Sequence, residues 1–208
     1  MKEFSLREKK KALLRNALME EMLLLLNSKE LTEISVEELC ERANTSKVTF
    51  FKYFSYKEQL LDYYIYKWQY HQSYEIHCGS CHGAEGLRKV FEAVSGNSLG
   101  QKIMISLIHY YSKLTEKPPV LELSPCEYFL FHEKAYQEQV APLNLGDIFL
   151  HYISEIEYIN PKDYKQMVQQ LGALMYGVPI QNHITGQRDM TSLYEAGIRR
   201  ILGEETAG

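Results

Sequence analysis

Six consecutive residues, His77-Cys78-Gly79-Ser80-Cys81-His82, concentrate two thiols and two imidazoles in one short stretch of chain. Thiols separated by two residues can share a tetrahedral metal ion such as zinc, with His77 or His82 as a third ligand, or they can close a reversible disulfide. The same letters contain Cys-x-x-Cys-His, the attachment pattern of c-type haem. Covalent haem attachment belongs outside the cytoplasm, and the early sequence shows no export signal. The apolar block Met22 to Leu26 follows the charged region Arg15 to Glu21 and is too short to span a bilayer, so a cytoplasmic protein is expected. A metal ion at Cys78 and Cys81 needs further ligands, from Cys126, another histidine or a partner subunit; without them the segment is a solvated loop. Loop, metal site and redox pair stay open on sequence alone. Cys40 falls on the inner face of a short helix and reads as core.

A second stretch offers different chemistry. Thr45-Ser46-Lys47-Val48-Thr49-Phe50-Phe51-Lys52-Tyr53 alternates ammonium and hydroxyl groups with aromatic rings. Lysine and threonine supply the phosphate and base-edge contacts of DNA recognition. Lys57 lies in the expected first turn of the following helix, whose free amides and positive dipole end also favour a phosphate. The elements around this stretch suit that use. A first helix runs from about Ser5 to Leu26, with Leu6, Leu13, Leu14, Ala17, Leu18 and Leu25 at helical spacing. Ser35-Val36-Glu37-Glu38 reads as a capping box opening a short helix to about Ala43, with Ile34 and Leu39 as its hydrophobic staple. Asn44-Thr45-Ser46 supplies the turn, and a third helix spans Lys47 to Tyr53. A packing helix followed by two short helices about a tight turn is a helix-turn-helix. Val36, Leu39, Cys40, Ala43, Thr45, Phe50 and Phe54 are its expected core, leaving Ser46, Lys47, Thr49, Lys52 and Tyr53 to face DNA.

From Thr45 to Leu60 the chain resembles the TetR family of bacterial regulators: a Ser-Lys-x-Thr-aromatic recognition helix runs into Phe54-Ser55-Tyr56-Lys57-Glu58-Gln59-Leu60. The resemblance covers about residues 5 to 62; beyond them it is one of length and helicity. It departs from the family at Asn44, where Gly is usual, and at Phe51, where a tyrosine usually hydrogen-bonds phosphate; Lys52 or Tyr53 would have to compensate. The resemblance implies a homodimer on double-stranded operator DNA, a small-molecule effector, and a role in transcription rather than catalysis.

Ser55 to Glu58 reads as another capping box, opening a long helix that reaches about Tyr74. Further helices are expected at about Glu85 to Val94, Leu99 to Thr115, Pro125 to Gln139, Leu145 to Tyr158, Pro161 to Ile184 and Ser192 to Leu202. No segment alternates with period two, so the fold is expected to be all-α: a three-helix head, residues 1–55, and an effector-binding and dimerisation body, residues 56–208. Body residues His109, Tyr110, Tyr111, Phe129, His132, Tyr136, His151 and Tyr152 are candidates for an effector cavity that a neutral or flat aromatic ligand would suit; singly, such a residue is more often packing than ligand contact. By the resemblance, the last two long helices pair with those of a partner. Met167, Leu171, Leu174, Met175 and Val178 lie at helical spacing, with Gly172 and Ala173 permitting close approach, and Gly177 and Pro179 are expected to kink that helix.

The net charge of −4 excludes a uniformly basic coat but hides an asymmetry. Residues 1–57 carry 11 Lys/Arg against 9 Asp/Glu, or +2, and the remainder 12 against 18, or −6. The N-terminal quarter is the part suited to phosphates. An enzyme built on Cys78 and Cys81 lacks both the export signal of a cytochrome and the strand-helix-strand pattern of a thioredoxin-like fold. The expected mechanism is repression, relieved when an effector tilts the helix that starts near Lys57 and ends beside the cysteine-histidine segment.

Overall fold

The computed structural model describes residues 4–96, 99–116 and 120–204. Among these residues it contains eleven α-helices and no strand, which makes the protein all-α. The helices are α1 (Leu6–Leu26), α2 (Val36–Arg42), α3 (Lys47–Tyr53), α4 (Gln59–His77), α5 (Gly83–Ser95), α6 (Gly100–Tyr111), α7 (Pro125–Phe131), α8 (Glu133–Gln137), α9 (Leu145–Ser154), α10 (Tyr164–Thr185) and α11 (Thr191–Leu202). They fall into two compact units that do not follow the linear split at residue 55. One unit comprises residues 1–71 with 109–141, the other residues 72–108 with 142–208. A stretch expected in the body is thus part of the head's own unit.

The first unit shows why. Ser5 and Glu8 close a capping box at the start of α1, the Ser5 hydroxyl accepting from the Glu8 amide at 3.3 Å and Glu8 accepting from the Ser5 amide at 2.8 Å. The helix then buries Ala12, Leu18, Met19, Met22, Leu25 and Leu26, and among them Arg15, only 2% exposed. That guanidinium meets the Glu127 carboxylate of α7 at 2.5 Å and donates to the Glu122 carbonyl at 3.1 Å. It also lies over the rings of Phe54 and Tyr63, 5.0 and 4.8 Å from their centroids. Glu127 in turn closes the capping box at Ser124, with Pro125 in the first turn as its missing N–H allows. The helix expected over Pro125 to Gln139 is therefore two. His132 adopts an extended backbone between α7 and α8, and its Nδ1 accepts from the Ala135 amide at 3.1 Å as the cap of α8.

In the second unit, α5, α9, α10 and α11 pack on one another. Phe91 stacks on Phe149 at 5.6 Å and meets Tyr194 edge-on at 4.8 Å. Gly86 faces the Tyr152 ring so closely that a Cβ there would stand 2.1 Å from a ring carbon. Helix α10 continues through Pro179, which has no N–H to give the Met175 carbonyl one turn back. The buried Tyr194 hydroxyl of α11 donates to that carbonyl instead, at 2.9 Å. Proline and tyrosine together keep the helix intact and fix α11 against it.

Candidate nucleic-acid interface

The head is assembled by local hydrogen bonds. The Ser35 hydroxyl accepts from the Glu38 amide at 3.1 Å, while the Glu38 carboxylate turns to the Lys29 ammonium at 2.5 Å rather than back to the cap. The expected box is thus made by one bond, and the staple residues Ile34 and Leu39 are both buried. Helix α2 ends where Asn44 takes a left-handed conformation, φ 49°, and the Thr45 amide returns to the Cys40 carbonyl at 2.8 Å. Asparagine does here what glycine does more freely. Ser46 then caps α3, accepting from the Thr49 amide at 3.2 Å and sharing a 2.9 Å hydroxyl-hydroxyl bond with Thr49. Leu39, Cys40, Phe50 and Phe54 are buried beneath, and burial pushes the Cys40 thiol pKa up, as for core rather than reactive sulfur.

With Phe50 inward, helical periodicity turns Lys47, Val48, Phe51 and Lys52 outward, and all four are exposed. Val48, 83% exposed, is the residue that sequence reading passed over; its phase relative to Phe50 is the signal that marks it. A valine so placed offers methyl groups to a thymine methyl. Phe51, 54% exposed, presents a ring edge against Phe50 and no hydroxyl. Lys47 pairs with Glu37 of α2, an exposed bond that holds the Glu37 carboxyl below its ordinary pKa and that a phosphate can replace. The Lys52 ammonium lies 6.0 Å from the Tyr53 ring, and Thr45, Thr49 and Tyr53 are half-buried at the edge of this face.

Lys57 is placed otherwise than expected. Its ammonium donates to the carbonyls of Leu31 and Ile34, both at 2.6 Å, and so ties α4 to the 3-10 turn Leu31–Glu33. Nor does Ser55 cap α4: its amide donates to the Gln59 side chain at 2.6 Å, and the helix starts at Gln59.

The family model of the bacterial regulatory proteins of the tetR family matches residues 25–64, the end of α1 through the first turns of α4. Those residues are a TetR-family helix-turn-helix. The protein is accordingly a TetR-like transcriptional regulator with a DNA-binding head, the exposed face of α3 being the outer surface of that TetR head. No curated protein and no solved structure matches the chain. No described helix is long and apolar enough to cross a membrane.

Outside the TetR head the candidate residues separate. His109, Tyr110, Tyr111, Phe129, His132 and Tyr136 belong to the first unit, His151 and Tyr152 to the second. Phe129 and Tyr136 form an aromatic trio with Phe4, His132 is the helix cap already described, and Tyr152 is packing against Gly86. His151 approaches Glu155 at 3.5 Å. Of the cysteine-histidine segment, His77, Cys78 and His82 are exposed while Cys81 is buried, and both thiols are free. The His82 ring is 3.0 Å from the Glu155 carboxylate, which also accepts from the Gly83 amide at 2.7 Å. Burial works against that carboxylate, yet these two bonds hold it below its usual pKa. Among the described residues no three His, Cys, Asp or Glu side chains converge as a metal site.

Proposed function

We propose that the protein is a cytoplasmic homodimeric repressor, released from operator DNA by a small-molecule effector. The observation that carries the reading is the α3 face: two lysines, a valine and a phenylalanine exposed over a fully buried Phe50, within a TetR head. Lys47 and Lys52 take phosphates, Val48, Thr49 and Ser46 address base edges, and Phe51 takes a methyl or sugar face. A dimer is supported by α10. Met167, Leu171, Met175 and Val178, expected at the subunit contact, are buried within the chain itself. The outward residues are instead Tyr176, Ile180 and Ile184, one turn apart, the last 73% exposed, with open space beside Gly172 and Gly177. Effector release acts through α4, which leaves the head at Gln59 and runs into the second unit; an effector moves that equilibrium only by binding its two arrangements unequally.

The test is selection of bound duplexes from a random DNA library, followed by a titration of the selected site against salt. The expected result is an enriched two-fold-symmetric site, with Lys47→Ala/Lys52→Ala weakening binding and flattening the log-log salt slope by about 2. An unenriched library, or a variant with unchanged slope, removes the DNA-binding face from α3. A redox-responsive regulator is a second reading, favoured by two free thiols two residues apart, Cys78 exposed and Cys81 buried. Under it a peroxide takes two electrons from Cys78 and Cys81 as their disulfide forms, and operator affinity follows the thiol state; equal affinity in reduced and peroxide-treated protein rules it out.

A further inference from the structure

The first unit also buries an acid that no cation among the described residues answers. Asp62, in the first turn of α4, is 9% exposed, and the donor to it is the Tyr111 hydroxyl. Burial pushes its carboxyl pKa up, with the Tyr111 bond pulling the other way, and among the described residues no positive group acts on it. Aromatic rings stand close by: Tyr110 and Tyr111 are 5.3 Å apart, and Tyr110 and Tyr56 are 6.2 Å apart. Tyr66, on the next turn of α4, also feels the Asp62 charge. Independently, the hydroxyl of Tyr110, a residue 8% exposed, is buried without a hydrogen-bond partner. Its pKa is pushed up to about 12, by burial first and by the Asp62 charge second. An uncompensated buried carboxylate and an unpartnered buried phenol are each costly, and folds retain such groups where something else supplies the missing partner.

We propose that Asp62, Tyr56, Tyr66, Tyr110 and Tyr111 form a binding site for an organic ammonium ion. The carboxylate pairs with the positive nitrogen, the tyrosine faces attract its alkyl groups by cation–π interaction, and the Tyr110 hydroxyl takes a polar group of the ligand. A neutral aromatic ligand leaves Asp62 unanswered, so the charge of the site selects against it. The proposal rests on the effector-released reading only in assigning this ion the effector's part; the site itself is tested without DNA.

Calorimetric titration of the protein with benzyltrimethylammonium, and with its neutral isostere neopentylbenzene, reads the site directly. The expected result is that the cation binds at least about tenfold tighter than the isostere, a difference of about 1.4 kcal/mol. Asp62→Asn is expected to lose at least that factor while melting no lower than wild type. Tyr56→Leu, at a side chain 46% exposed, is expected to lose severalfold without unfolding risk. No heat with millimolar cation, equal affinity for the isostere, or undiminished binding in Asp62→Asn overturns the site. Should Asp62→Asn melt below wild type, full affinity in Tyr56→Leu overturns it instead. Cation binding that leaves operator affinity unchanged upholds the site and counts against the effector-released reading, whereas absent binding leaves the head's DNA contacts standing.

Discussion

Two carboxylates in the first unit are almost equally hidden, Glu127 at 0% and Asp62 at 9% exposure, yet their surroundings are opposite. Glu127 has a guanidinium at 2.5 Å, two donors from Ser124 at 2.8 Å, and two aromatic rings around its partner. Asp62 has a phenol. The first arrangement pairs charge with charge and holds α1 to α7; the second has no counter-charge among the described residues. A buried charge paired within the fold belongs to architecture, and one with no counter-charge among the described residues points outward to a ligand.

The largest effect is expected where the paired arrangement is broken. Glu127→Gln keeps the shape but strands the Arg15 charge between Phe54 and Tyr63, and is expected to cost about 3–5 kcal/mol in denaturant unfolding. Arg15→Met combined with Glu127→Leu removes both charges and should recover most of that loss, because a well-packed apolar pair avoids the desolvation cost. Should Glu127→Gln unfold like wild type, the contrast between the two acids has no energetic content.

A smaller effect is expected in the second unit, where a neutral group is answered as completely as Glu127. Tyr194→Phe leaves the Met175 carbonyl without either the Pro179 amide or the phenol, and should cost about 1–3 kcal/mol. If the loss is instead undetectable, water reaches that carbonyl and the joint between α10 and α11 is looser than its burial implies.

These contrasts also mark what was legible in the chain. The head could be read because its determinants are local: Ser35 and Ser46 cap within three residues, Asn44 turns the backbone, and Phe50 sets the phase that exposes Lys47 and Lys52. Helix existence was equally local, through Pro125 and the spacing of apolar residues. What failed was decided at long range. Lys57 has the right place in sequence for a phosphate, but the carbonyls of Leu31 and Ile34 reach it only after folding. Nothing near His132 resembles a helix breaker; the break is made by its own capping bond, beside the His71 ring 4.9 Å away. The pairing of Arg15 with Glu127, 112 residues apart, drew residues 109–141 into the head's unit, where no composition shift announces them. The eight aromatic and histidine candidates were chosen by residue type and position, which mark what can line a cavity and leave open whether it is one.

The smallest expected effect carries a sign, which makes it the sharpest. Asp62 is held above its ordinary pKa of 3.8 by burial, so the folded state binds a proton at that group more tightly than the unfolded chain does. Its contribution to stability is therefore fully present below the unfolded value and is lost as pH rises through the raised folded one. Asp62→Asn has no such loss. Against wild type, the variant should be level below pH 3.8, gain as pH rises through the raised folded pKa and hold that gain above it, about 2–4 °C in melting temperature if the gain is near 1 kcal/mol. Because only the difference between the two proteins is read, the acids with lowered pKa values, such as Glu155 and Glu195, cancel. Saturating benzyltrimethylammonium should reverse the order, since it stabilises only the protein that keeps the carboxylate. A variant less stable than wild type at pH 7 without ligand would place Asp62 with Glu127, among charges the fold has already satisfied.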